Sequence, residues 1–218
     1  MTDPFRAPIS FNQKKIDEIN ADHSKIKVGM LKETPFLPVS DSVKRAMEIT
    51  RKALEDDGYQ VVDFEITQEQ YAFARNTLIA LVINGTVLEL CNDFIRNGER
   101  ETFGVWINAF FLNRSRFERG FLRKVLRIAG LGRQADCLEN VRKIPPNQFD
   151  KIMKGRYEFA YEFSQQWQKA GISALVTPSF PHCSFKAAHA DDMGLMLEYI
   201  FLWAVLYYPS GTIPITTV

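Results

Sequence analysis

The sequence has few cysteines, almost no net charge and no long apolar run. Its three cysteines are odd in number and widely spaced over 218 residues, which argues against a disulfide framework and for a reducing compartment. A formal net charge of +1 gives no overall attraction to nucleic acid, so no nucleic-acid partner is predicted. No window reaches about 18 consecutive apolar residues, so no membrane-spanning helix is predicted. The polar N-terminus shows no signal peptide, and we therefore expect an intracellular protein.

Sequence motifs that build common catalytic sites are also missing. There is no phosphate-binding or dinucleotide-binding glycine pattern and no G-x-S-x-G elbow. The densest polar cluster could be a Cys/His dyad or a metal site; it comprises His182, Cys183, Ser184, His189, Asp191 and Asp192. It lacks the paired ligand spacing of metal sites, and its two aspartates suit the capped start of a helix. We therefore predict no catalytic residue, no metal and no cofactor in this chain.

The pattern of apolar residues and turn residues predicts an α/β chain. Residues 26–32 and 59–64 have the short apolar character of strands. Between them, a helix is predicted to begin at Ser40 or Asp41 and to end at Gly58, because glycine readily adopts the left-handed conformation after a helix. Segment 26–64 is thus predicted to be a βαβ unit with parallel strands.

The rest of the chain divides into three further parts. Residues 1–24 are predicted to be an extended polar lead, 66–171 a helical insertion, and 172–218 a strand–helix–strand segment. The last strand of that segment is predicted at the β-branched stretch 211–218. Within the insertion, a helix is predicted to run from Pro146 to Gly171, since proline suits the first turn, where its missing N–H is not needed. The predicted fold is therefore a partial α/β domain: a mixed or parallel sheet with helices on both faces and a long helical insertion.

Segment 110–131 has the pattern of an amphipathic helix. On a helical wheel, arginines form one stripe and apolar residues lie opposite; the arginines are Arg116, Arg119, Arg123 and Arg127, and the apolar residues are Phe117, Phe121, Leu122, Val125 and Ile128. Such a helix suits a membrane surface, with rings in the acyl boundary and guanidinium groups at lipid phosphates. An ordinary surface helix that packs its phenylalanines on the core is the alternative.

Residues 191–208 form a second distinctive segment, which is apolar on nearly every side of the predicted helix. A helix of this kind is normally buried, so it is either part of the core or the wall of a hydrophobic substrate channel.

Two stretches of the C-terminal part are distinctive, "WQKAGISALVTPSFP" (167–181) and "YYPSGTIPITTV" (207–218). They are preceded in order by "DPFRAPISF", "KIKVGMLKET" and "SVKRAMEITRKALEDDGYQVVDF". Together these segments resemble the amidase signature family, in particular its fatty-acid amide hydrolase branch. The sequence departs from the family pattern at Ala204, where the family has asparagine, and at Ser173, where it has aspartate.

The resemblance implies a serine amidase acting on lipid amides at the cytoplasmic face of an internal membrane, with dimers common in that branch. Its Gly/Ser-rich nucleophile segment and its lysine base have no counterpart here, so the chain corresponds to the C-terminal side of such an enzyme without the catalytic half. The acyl-channel positions are implied to be Ile83, Gly194, Leu197 and Phe201. The membrane cap is implied to lie around 103–131, with Phe110, Phe111, Arg116, Phe117, Arg119, Phe121, Arg123, Val125 and Arg127. A non-catalytic lipid-binding or membrane-binding protein is the alternative.

Overall fold

The computed structural model describes residues 12–82, 93, 110–112, 114–187 and 196–217. Its strands are β1 (Lys27–Met30), β2 (Gln60–Asp63) and β3 (Ala174–Val176). Its helices are α1 (Gln13–Ala21), α2 (Asp41–Asp56), α3 (Gln68–Val82), α4 (Arg116–Ile128), α5 (Gly132–Cys137), α6 (Pro146–Ala170) and α7 (Glu198–Leu206). Short 3-10 turns lie at His23–Lys25 and Leu138–Asn140.

The strands form one small parallel sheet in the order β2-β1-β3. Val28 of the central strand pairs with Val61 on one side and with Ala174 on the other. Helix α2 connects β1 to β2, and parallel neighbours require a crossover of this kind. The predicted α/β class is therefore correct, and the sheet that the structure describes is entirely parallel and flanked mostly by helices.

The two faces of β1 have different neighbours, since successive residues of a strand point to opposite sides. Met30 lines a crevice together with Met47 of α2. On the opposite face, Gly29 lies so close to the next layer that an added Cβ would be 2.8 Å from the Cδ1 atom of Ile172. Ile172 belongs to the principal core, so this glycine allows the sheet and that core to approach closely.

The principal core lies between the sheet and three helices, α3, α6 and α7. Phe163 of α6 is 0% exposed and stands at its centre. Its ring centroid lies 5.9 Å from that of Phe64, 6.3 Å from that of Trp203 and 6.0 Å from that of Tyr208. These edge-on contacts between aromatic rings connect α6 to the residue just after β2, to α7 and to the residues that follow α7.

Several predicted helix ends agree with the structure. Gly58 follows α2 with φ +91°, and Gly171 ends α6 with φ +66°, both in the left-handed region. Pro146 is the first residue of α6. These ends depend on local backbone geometry, which the residue type determines directly.

The prediction of an extended lead is wrong where the structure describes it, because residues 13–21 form α1. The side chain of Asn12 accepts a hydrogen bond from the Lys15 backbone N–H, and Gln13 donates to Asp17 one turn later. No residue of α1 is buried. Since polar cap and side-chain contacts hold this helix, a search for apolar periodicity could not detect it.

The strand predicted at 211–218 is also absent over residues 211–217. The described part of this segment is exposed, and its contact with α2 is a hydrogen bond of 2.8 Å from the Arg45 guanidinium to the Thr217 carbonyl oxygen. Its β-branched residues favour a strand, but strand pairing requires a neighbouring strand, and none of the three described strands pairs with it.

Candidate functional site

Helix α4 begins at a capping box. The Ser115 hydroxyl accepts a hydrogen bond from the Glu118 N–H at 3.3 Å, and the Glu118 carboxylate accepts one from the Ser115 N–H at 2.8 Å. These two hydrogen bonds satisfy backbone donors that the first turn would otherwise leave unpaired. They also hold the pKa of Glu118 below its ordinary value. The start of α4 is therefore fixed locally, without burial of the helix.

One side of α4 carries an apolar stripe that faces solvent. Phe117 is 85% exposed, Phe121 62%, Val125 44% and Ile128 78%. These four residues, called here the α4 stripe, lie three or four positions apart and therefore on one face of the helix. The alternative in which the phenylalanines pack on the core is wrong, because the stripe points away from it.

A second, small apolar cluster lies beneath the opposite side of α4. It contains buried Phe111, Leu112 and Val141, and the half-buried Phe110, Leu122, Leu126, Leu138 and Ile79 pack against it. Phe110 and Phe111 thus contribute to the internal packing of the predicted membrane cap and not to its exposed surface. The helix is oriented with Leu122 and Leu126 inward, which leaves the phenylalanines of the stripe outside.

Three of the four predicted arginines make internal contacts. Arg119 donates to the Arg114 carbonyl oxygen at 2.8 Å. Arg123 forms an ion pair with Glu139 at 2.9 Å and donates to the Ala135 carbonyl oxygen, and Arg127 forms an ion pair with Asp136 at 2.6 Å. The Asp136 carboxylate raises the pKa of Arg127. Arg123 and Arg127 therefore hold α4 against α5 and the 3-10 turn after it, whereas Arg119 contacts the backbone just before α4. The contact of these arginines with lipid phosphates stays a prediction.

The cations nearest the stripe are Arg116 and Lys124. Both line one open surface depression together with Phe117, Gly120 and Phe121. Lys124 is a candidate that sequence reasoning missed, although it is adjacent to Phe117 and Phe121 on a helical wheel. This side of α4 therefore presents exposed rings beside two positive charges.

Helix α7 has one buried face and one open apolar face. Tyr199, Leu202, Val205 and Leu206 are buried in contact with the rest of the chain. Leu197 just before the helix and Ile200 within it are each 43% exposed, Phe201 is half-buried and Ala204 is exposed. The core prediction is confirmed on the buried face of α7. The channel wall stays a prediction for the other face, where apolar side chains are exposed.

Polar contacts fix α7 at both ends. At the start, the Tyr71 hydroxyl donates to the Glu198 carbonyl oxygen, and the Tyr199 hydroxyl donates to the carbonyl oxygen of Leu37. At the end, the buried Arg156 guanidinium donates to the Val205 carbonyl oxygen at 2.8 Å and lies 3.9 Å from the ring centre of Tyr207. The orientation of the open face is therefore fixed by specific contacts with α3, α6 and the loop after β1.

The structure describes only residues 182–187 of the polar cluster at 182–192. The exposed Cys183 sulfur lies 3.7 Å from the Ser42 hydroxyl and 3.7 Å from Nδ1 of His182. The Ser42 hydrogen bond lowers the pKa of the Cys183 thiol. Across the ranges that the structure describes, no group of three metal-ligating side chains comes together.

Several predicted residues lie outside the described part of the chain: Ile83, Gly194, His189, Asp191 and Asp192. Two of these, Ile83 and Gly194, are channel positions implied by the resemblance. The described channel residues are Leu197 and Phe201, which lie one turn apart on the open side of α7. Among the described residues, no helix combines the length and apolar content needed to cross a bilayer.

Comparison with known proteins places the chain in a family. The model of the amidase family matches residues 2–218. Fatty-acid amide hydrolase 1 of Sus scrofa is 23% identical over 221 residues, a match that covers 99% of this chain. The chain spans 36% of the length of that relative.

Proposed function

Since this chain belongs to the amidase family, we propose that it is part of a serine amidase that hydrolyses the amide bond of lipid amides. In this proposal the chain supplies a wall of the acyl channel and a membrane-binding surface. The serine nucleophile, a bridging serine and the lysine base belong to a part of the enzyme outside these 218 residues. A neutral lysine would take the serine proton through the bridging serine, and backbone N–H groups would stabilise the oxyanion.

The observation that carries the proposal of a membrane-binding surface is the exposed α4 stripe. Burial of a phenylalanine side chain is worth roughly 1.5–3 kcal/mol, so Phe117 and Phe121 together provide a substantial gain on entering an apolar phase. The positive charges of Arg116 and Lys124 at the same surface suit anionic lipid headgroups. We therefore propose that α4 lies in the interface of a membrane, at the cytoplasmic face of an intracellular compartment.

The open face of α7 supports the second part of the proposal. Leu197 and Phe201 present apolar surface that can line a channel for an acyl chain, with Ile83 and Gly194 assigned to it by family resemblance. Apolar side chains suit such a channel because an acyl chain offers no hydrogen-bonding groups. The lipid amide is thus the proposed substrate and the bilayer the proposed source from which it enters.

The membrane proposal can be tested by vesicle sedimentation of the 218-residue chain. The double variant Phe117→Ser/Phe121→Ser should reduce binding to vesicles of phosphatidylcholine with phosphatidylserine by about tenfold or more, since two exposed rings lose their apolar contact. The matched control is Tyr157→Ser/Tyr161→Ser, which changes two tyrosines of α6 that are 63% and 67% exposed. Binding should be nearly unchanged in this control.

The same assay can contradict the proposal. Equal loss of binding in both double variants would show that exposed aromatic residues contribute to binding wherever they lie. Unchanged binding in the α4 variant would show that the α4 stripe does not contact the membrane.

A second test concerns turnover. The purified 218-residue chain should release no fatty acid from a lipid amide such as oleamide, because it carries no Gly/Ser-rich nucleophile segment. Product formation above a no-protein control, measured by chromatography, would show that the nucleophile lies within the chain.

The alternative, a non-catalytic lipid-binding protein, is favoured by this same lack of a nucleophile segment. Sequencing the transcript beyond both ends of residues 1–218 separates the two functions. An upstream Gly/Ser-rich segment with a lysine supports the amidase. A transcript limited to these residues supports the lipid-binding protein.

A further inference from the structure

Glu198, the first residue of α7, has a buried carboxyl group with an incomplete set of partners. Its side chain is 0% exposed. Oε1 accepts a hydrogen bond from the Cys137 thiol at 3.1 Å, whereas Oε2 is buried and has no hydrogen-bond partner among the residues that the structure describes. The nearest cation is Arg75, with Nη1 4.0 Å from Oε1. A buried charge is well tolerated only when it is closely paired and fully hydrogen-bonded, whereas this carboxyl group has a hydrogen bond at Oε1 alone and a cation no closer than 4.0 Å.

The groups around Glu198 come from two helices packed against it. From α3, Arg75 faces the carboxyl group, and the Tyr71 hydroxyl donates to the Glu198 carbonyl oxygen. From α5, Arg133 favours the ionised carboxylate and Asp136 opposes it, while Cys137 donates its thiol proton. The guanidinium groups of Arg75 and Arg133 also lie 5.0 and 5.5 Å from the ring centre of Phe36. Both cations are therefore shared with an aromatic ring.

Burial outweighs these cations. It raises the pKa of Glu198 from an ordinary 4.5 to about 7. Burial and the neighbouring carboxyl group also raise the pKa of Cys137, so the thiol keeps its proton and remains a donor throughout the neutral range. Glu198 is thus the group in this cluster that changes its charge near neutral pH.

We propose that Glu198 is a proton-controlled latch that holds the start of α7 against α3 and α5. The neutral acid leaves one hydroxyl unpaired, which costs far less than an unpaired buried charge. Loss of the proton places a negative charge on a carboxyl group whose Oε2 atom has no hydrogen-bond donor within the described part of the chain. Local opening of the first turn of α7 lets water solvate it. Proton uptake closes the latch, and proton release loosens it.

The latch holds α7, the helix that begins just after Leu197 and contains Phe201. If the proposed channel function holds, opening of this turn changes the channel wall with pH, and this consequence rests on that function. The latch itself does not, since it follows from the contacts of Glu198 with α3 and α5. Its test therefore uses neither lipid nor substrate.

The direction of the pH dependence follows from linkage. The closed state binds the Glu198 proton more tightly than the open state, in which the carboxyl group is solvated and its pKa returns toward 4.5. Closure is therefore favoured at low pH and weakens as pH rises through the window from 4.5 to about 7. The equilibrium constant for opening should increase about tenfold between about pH 6 and about pH 8.

Amide hydrogen exchange of residues 198–206, corrected for the intrinsic pH dependence of exchange, measures this opening. In the wild-type 218-residue chain, protection of this segment should decrease about tenfold over that pH interval. In Glu198→Gln the dependence should disappear, because the amide cannot ionise. The matched control Glu158→Gln changes a glutamate of α6 whose side chain is 61% exposed, and it should retain the wild-type dependence.

A further variant keeps the test decisive if Glu198→Gln does not fold. Cys137→Ala removes the donor that favours the ionised carboxylate, so the midpoint of the pH dependence should move upward. A wild-type chain without pH dependence, a Glu198→Gln variant that retains it, or a midpoint that stays in place in Cys137→Ala would each overturn the latch.

Discussion

The two apolar clusters of the molecule use the same residue types in opposite ways. In the principal core, Phe163 of α6 is 0% exposed and contacts the rings of Phe64 just after β2, Trp203 of α7 and Tyr208 after α7. At the α4 stripe, Phe121 also lies on a helix, yet it is 62% exposed. Residue type therefore does not decide whether an aromatic side chain serves stability or remains available for binding.

The difference lies in what holds each helix. Helix α6 is held by burial against the sheet, α3 and α7. Helix α4 is held by its capping box, by ion pairs of Arg123 and Arg127 with the α5 region and by a small cluster of three buried residues. Because these contacts fix α4 without its phenylalanines, the stripe is left free for an apolar partner.

The largest expected effect tests the principal core. Phe163→Ala should lower the free energy of unfolding by about 3–5 kcal/mol, since it removes a ring at the centre of a close-packed cluster. The matched control, Phe121→Ala, makes the same change at an exposed position and should alter stability by no more than about 0.5 kcal/mol. Urea unfolding monitored by circular dichroism compares the two variants.

Similar losses in both variants would erase the contrast between core and stripe. A large loss in Phe121→Ala would show that the stripe is covered in solution, for example by a second copy of the chain.

A smaller effect tests the local origin of α4 stability. Ser115→Ala removes the hydroxyl that accepts from the Glu118 N–H, which is one half of the capping box. It should lower the stability of α4 by about 1 kcal/mol. Ser40→Ala is the matched control, because Ser40 precedes α2 but makes no side-chain capping hydrogen bond. Amide exchange of residues 116–128 and of 41–56 reports the stability of each helix separately.

The contrast would be contradicted if Ser40→Ala weakened α2 as much as Ser115→Ala weakened α4. In that case the first turn of a helix would depend on serine for a reason other than the capping hydrogen bond.

Local features of the fold were predictable, and pairing was predictable only in part. Gly58, Pro146 and Gly171 mark helix ends because each acts through its own backbone. The parallel pairing of β1 with β2 follows from a strand–helix–strand order. By contrast, α1 was missed because polar contacts stabilise it, and segment 211–217 forms no strand although its residues favour one.

The candidate site was predictable in its residues and not in their orientation. The helical wheel separates the arginines of α4 from Phe117 and Phe121, but it contains no information about which side faces the chain. It could not show that Arg123 and Arg127 bond inward or that Lys124 lies beside the rings. Glu198 gave no signal at all, since a single glutamate at a helix start is ordinarily exposed.

The sequence by itself determined the amidase family, the α/β class and the helix ends, because these depend on residue order and on local backbone preferences. Only the tertiary structure decided which apolar faces are buried, which arginines are paired and that the Glu198 carboxyl group is enclosed. These properties depend on contacts between residues far apart in the chain, such as Cys137 with Glu198 and Arg156 with Val205. Side-chain burial and charge pairing arise only when such segments meet.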